Sequence, residues 1–91
     1  MEMQEYFKND TYKVLHAMLK KGELMPRHVA TTDSYMIVKS GKGRLSFDTE
    51  AIDLVRDSTQ LIPANQPHQL EILEDFDACI VMASAGQIQF L

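Results

Sequence analysis

A chain of 91 residues has room for one hydrophobic core and no second; so short a chain is marginal alone, and self-association is expected from the outset. Nine Lys and Arg against thirteen Asp and Glu leave a net charge of −4 with no basic cluster, which argues against a nucleic-acid partner. The single cysteine, Cys79, cannot form an internal disulfide, the polar start MEMQEYFKND does not read as a secretion signal, and the longest apolar run, ACIVMA, is too short to span a bilayer, so a cytoplasmic protein that meets no membrane is expected.

Residues 1–9 carry no clear period and read as a short helical turn or a loose N-terminal arm on a single domain spanning 1–91. Short strands then follow closely. TYKVLHAML (11–19) is rich in strand-favouring residues and stops at KKG. ELMPRHVA (23–30) follows, with Pro26 forcing an edge or a bend. SYMIVK (34–39) runs into SGKG, whose glycines permit positive φ and predict a hairpin turn. RLSFD (44–48) and AIDLV (51–55) alternate apolar and polar residues about a turn at 48–50. TQLIP (59–63), HQLEIL (68–73), DACIVMA (77–83) and GQIQFL (86–91) complete the series, with the acidic LEDFD (73–77) read as a connecting turn. No segment of helix length carries an apolar stripe of helical period, so the expectation is an all-β barrel or sandwich.

YMIV and CIVM do not alternate. A strand that is apolar on both sides needs cover on both, either from a second sheet of the same chain or from a second subunit. A homodimer built on these strands is therefore one expectation, and a small closed sandwich that covers both faces itself is the other. Cys79 lies in the most apolar strand with no basic neighbour in sequence and reads as core.

Two histidine segments carry a resemblance. KKGELMPRHVATTDSYMIVKSGKG and IPANQPHQLEI resemble the two motifs of the cupin superfamily, G-x5-H-x-H-x3,4-E-x6-G and G-x5-P-x-G-x2-H-x3-N. On the first motif Gly22, His28 and Gly41 match, while Ala30 stands in the second histidine's place and Ser34 in the glutamate's. On the second, Pro63 and His68 match, while Asp57, Asn65 and Ile72 replace the two glycines and the asparagine. The resemblance implies a double-stranded β-helix, a jelly-roll barrel of short antiparallel strands, with His28, Ser34 and His68 lining its interior. It also implies a site for a divalent metal (Zn, Fe, Ni or Mn) that in the family is held by three histidines and a carboxylate.

Here only two of those ligands are present. A firm zinc or iron site generally needs at least three. Asp33 is one candidate for the third, although it is one residue out of phase with Ser34 and only a bulge would turn it inward. His16 is the other, although a partly buried histidine with a backbone partner is its plainer reading. Successive strand residues face opposite sides, so His28 is expected to share a face with Pro26 and Ala30, Ser34 with Met36 and Val38, and His68 with Leu70 and Ile72. Met25, Met36 and Met82 read as adaptable fillers around the cup. The leading functional expectation is a small polar ligand bound inside the barrel beside an incomplete metal site, with no assigned reaction. The alternatives are a metal-dependent cupin oxygenase or isomerase using His28, His68 and a third ligand, and a dimeric structural or regulatory module without pocket chemistry.

Overall fold

The computed structural model describes all 91 residues, and regular structure is entirely β-strand. The framework is a pair of long strands, β4 (Ser34–Phe47) and β7 (His68–Ala83), 14 and 16 residues in length, which run antiparallel beside each other almost end to end. Each is the fusion of two predicted strands. The SGKG segment does not reverse the chain as predicted; it bulges within β4, where the register against β7 slips between Val38 and Gly43. Gly41 sits there at φ 88°, and a Cβ on it would collide with the backbone of Asp75. Positive φ and the close approach of β7 both demand glycine at the bend. LEDFD likewise continues through β7 in place of the predicted acidic turn.

The bend divides the ladder into two walls. The first half of β4 and second half of β7 pair with β2 (Tyr12–Leu19) and β6 (Thr59–Ile62), and β1 (Glu2–Lys8) adds to β2, giving the order β1-β2-β7-β4-β6. The other halves pair with β3 (Leu24–Ala30) and β5 (Ala51–Val55), and β8 (Ile88–Phe90) adds to β3, giving β8-β3-β7-β4-β5. All pairings are antiparallel. The N-terminal residues, expected as a turn or arm, are a strand because EMQEYFK pairs with β2 from Glu2↔Met18 to Lys8↔Lys13.

Side-chain phase fixes what lies inside. β7 buries its even positions from His68 to Met82 without a break, except at Glu74 beside the bend. β4 buries even positions up to Val38 and odd ones from Gly43, the change of parity that an inserted bulge residue produces. Leu45, Leu54, Ile72 and Val38, almost wholly removed from solvent, pack between the walls.

Candidate functional site

His28 and His68 are opposite each other on adjacent strands of one wall, not on facing walls, as cross-strand partners of β3 and β7. Both are 5% exposed, and their rings meet edge to face with centroids 4.2 Å apart. The register slip between Met25 and His28 leaves Pro26 exposed, so His28 shares its buried face with Met25 and Ala30 in place of Pro26.

Each ring is oriented by its own strand. His28 Nδ1 lies 2.7 Å from the Pro26 carbonyl, and His68 Nδ1 lies 2.8 Å from the Gln66 carbonyl. A carbonyl oxygen only accepts, so Nδ1 carries a proton and donates in both, and a ring so held has its lone pair on Nε2 whenever it is neutral. Burial pushes the pKa of His68 below its ordinary value; the Gln66 hydrogen bond opposes that shift and the charge of His28 adds to it. His68 is therefore neutral at pH 7, with a free nitrogen.

Ala30 and Ser34, at the motif positions of the missing ligands, line the same cavity as His28 and His68. Met25, Met36 and Met82 also line it. The motif spacing thus brings together the residues it should. The cavity itself is about 30 Å³, the share of one water molecule, and most of its wall is apolar. A ligand of ordinary size does not fit there. His68 is also a wall of an open surface cleft of about 280 Å³, bounded by Arg27, Ser46, Phe47, Asp48 and Gln69, in which Arg27 pairs with Asp48 at 3.1 Å. His68 alone among the predicted site residues borders both spaces. The largest concavity, about 640 Å³, lies elsewhere, between the chain start and the bend, and none of the predicted site residues lines it.

Similarity to known proteins rests on structure. No family model matches the chain, and no curated protein matches it. A cupin superfamily protein from Desulfitobacterium hafniense is similar over 90% of this chain and 75% of its own, at TM-score 0.83 and 18% identity. A protein with a double-stranded β-helix domain from Klebsiella pneumoniae is similar over 99% of this chain and 84% of its own, at TM-score 0.83 and 14% identity. The fold is the cupin barrel. The DMSP lyase DddQ from Ruegeria pomeroyi shares it at TM-score 0.85 and 12% identity, over 94% of this chain but only 50% of the lyase. At such identities the likeness is one of fold, and a fold hosts many chemistries.

The donor set of this cupin barrel does not fit the divalent metal that the motif resemblance implies. Ala30 offers no donor and Ser34 only a hydroxyl. Asp33 stays outside, where its carboxylate accepts the Ala64 amide at 2.7 Å. His16 projects from the opposite side of β2, opposite Cys79, whose side is the outer one. It is 6% exposed because the Tyr6 ring stacks over it at 4.6 Å, and its partner is not the backbone: Nε2 donates to Asp77 Oδ1 at 2.6 Å. No group of three His, Cys, Asp or Glu side chains converges anywhere in the chain to hold an ion.

Sequence reasoning missed the outer face of the first wall as a continuous feature. Phe7, Val14, Val81, Tyr35 and Leu61 are successive cross-strand partners across all five strands. Phe7, Tyr35 and Leu61 are exposed, and Val14 and Val81 are partly buried. Ile37 and Cys79 lie one row away. The unalternating YMIV and CIVM were the signal, but only the register of β1 and β6 shows that the row runs the full width.

Proposed function

We propose that this cupin barrel is a binding module that takes a small polar ligand at the mouth of the barrel, over His68. The observation that carries this reading is the placement of His68, which pairs with His28 on the inside and also borders the cleft outside. With Nδ1 committed to Gln66, the ring offers an acceptor, so it suits a ligand with an N–H or O–H donor. Arg27, Ser46 and Gln69 supply polar partners around it. The expected seat moves from the interior to the mouth because one water fills what space the interior has. A metal-dependent oxygenase or isomerase is not supported, because neither Asp33 nor His16 reaches the histidine pair. The free Cys79 favours the cytoplasm as its place.

A fragment screen of small alcohols, amides and carboxylates, read by two-dimensional NMR, tests this. Hits should shift the His68 ring and Arg27 side-chain signals, and His68→Ala should abolish those shifts. Hits that cluster around Met18 and Glu23, in the larger groove, or that persist in His68→Ala, would place the ligand elsewhere.

A specific observation favours a second reading that is compatible with the first. The five-strand apolar row on the outer wall is open in a single chain, and a two-fold pairing of such faces would cover both copies. We propose a homodimer through this face. Sedimentation should give twice the chain mass at micromolar concentration, and Tyr35→Glu should return it to one chain. A single-chain mass for the unaltered protein would remove the proposal.

A further inference from the structure

We infer that the cleft bordered by His68 takes an uncharged ligand through an amide edge, a C=O beside an N–H, as carried by lactams, ureides and primary amides. The inference rests on the reading of this cleft as the ligand site, and it names the chemical class that the site takes.

The cleft is laid on two neighbouring rungs of the β4–β7 ladder, where Phe47 pairs with His68 and Ser46 with Gln69. Asp48 follows directly on the end of β4, and Arg27 reaches it from β3. Charge balance then selects the ligand. Arg27 Nη2 contacts both carboxylate oxygens of Asp48, at 3.2 and 3.1 Å. The one cation and the one carboxylate of the cleft therefore offset each other, and its remaining ionisable wall, His68, is neutral at pH 7. A carboxylate seated on the guanidinium would lie beside Asp48, and an ammonium seated on Asp48 would lie beside Arg27. Each would meet a like charge. An uncharged ligand meets none.

The pair still leaves hydrogen-bonding capacity of both signs. Both of its contacts use Nη2, so Nε and Nη1 of Arg27 remain as donors. Asp48 keeps lone pairs that Arg27 does not use, and His68 has Nε2 as an acceptor. An amide edge matches a donor and an acceptor at once: its oxygen accepts from Arg27, and its N–H donates to His68 or Asp48. A ketone matches only the donor. The Phe47 ring supplies an apolar wall, with its centroid 6.0 Å from that of His68, and a planar amide can lie against such a face. At about 280 Å³ the cleft admits a small ring and little more.

The test is a two-dimensional NMR titration of the full chain at neutral pH with 2-pyrrolidinone, N-methyl-2-pyrrolidinone and propionate. 2-Pyrrolidinone should shift the Arg27 side-chain and His68 ring signals saturably. Its N-methyl derivative should bind about tenfold more weakly or worse, because it leaves an acceptor in the site unpaired. Propionate should bind more weakly than 2-pyrrolidinone to the unaltered chain and more tightly than it to Asp48→Asn, where Arg27 has lost its counter-charge. The Asp48 side chain is 64% exposed, so that exchange leaves the core alone. Equal binding of the two lactams, propionate as the tighter ligand of the unaltered chain, or an unchanged order in Asp48→Asn overturns the amide class and leaves the mouth site in place. So does a set of alcohols that moves Arg27 and His68 when neither lactam does. If no probe of any class moves them, the mouth reading falls together with the inference.

Discussion

The chain holds two buried histidine sites that differ in everything except burial. His16 on the outer wall and the pair His28 and His68 on the inside are all 5–6% exposed. His16 gives its Nε2–H to the carboxylate of Asp77 and lies under Tyr6, so Nε2 ties β2 to β7 and the ring packs against β1. The inner pair spends Nδ1 on neighbouring carbonyls and keeps Nε2. Burial therefore does not distinguish a structural histidine from a prepared one. The nitrogen that is tied down does.

The largest effect should come from breaking the outer site. Asp77→Ala leaves the His16 ring buried without its acceptor, and the loss should be about 1–2 kcal/mol, moderated because the Asp77 side chain is one-third exposed. Urea unfolding measures it; an unchanged midpoint would mean that the pair holds nothing.

A smaller effect should sharpen the contrast from the inner side. His68 has a folded pKa below its unfolded value of about 6.5, so the unfolded chain binds the proton more readily. Its full stability is present above 6.5, declines as the pH falls below that value, and levels off once the folded group also protonates. His68→Leu should flatten that part of the profile, whereas the Glu23 contribution belongs to a separate window. The terminal ammonium of Met1 at 2.7 Å, and then the Lys20 amide, hold Glu23 below 4.5, so its share is lost only as the pH falls through that lower range. Urea midpoints measured across the two windows decide it, and an undiminished slope in the leucine variant would assign the titration to another group.

Much of the fold was legible in the residues. Strand-favouring composition and polar breaks placed β2 and β6 nearly to the residue, alternation placed β5, and the motif resemblance put His28, Ser34 and His68 together, where they line one cavity. The illegible parts share a physical cause. SGKG and LEDFD carry the composition of turns, yet they occupy matched bends in two paired strands, where a glycine and an acidic run suit a bulge as well as a reversal. EMQEYFK lacks alternation because it is an edge strand exposed along most of its length, and only its partner β2 makes it a strand. The carbonyls that orient His28 and His68 left no mark in the sequence, since a backbone acceptor has no residue type.

The claim on which the functional reading stands is the tautomer of the inner rings. Long-range proton–nitrogen correlation of the three imidazoles at neutral pH measures it directly. His28 and His68 are expected to carry their proton on Nδ1 and a lone pair on Nε2, with His16 showing the reverse. An Nε2–H signal from either inner ring would contradict the claim and make that nitrogen a donor, with no lone pair for a ligand's N–H or O–H.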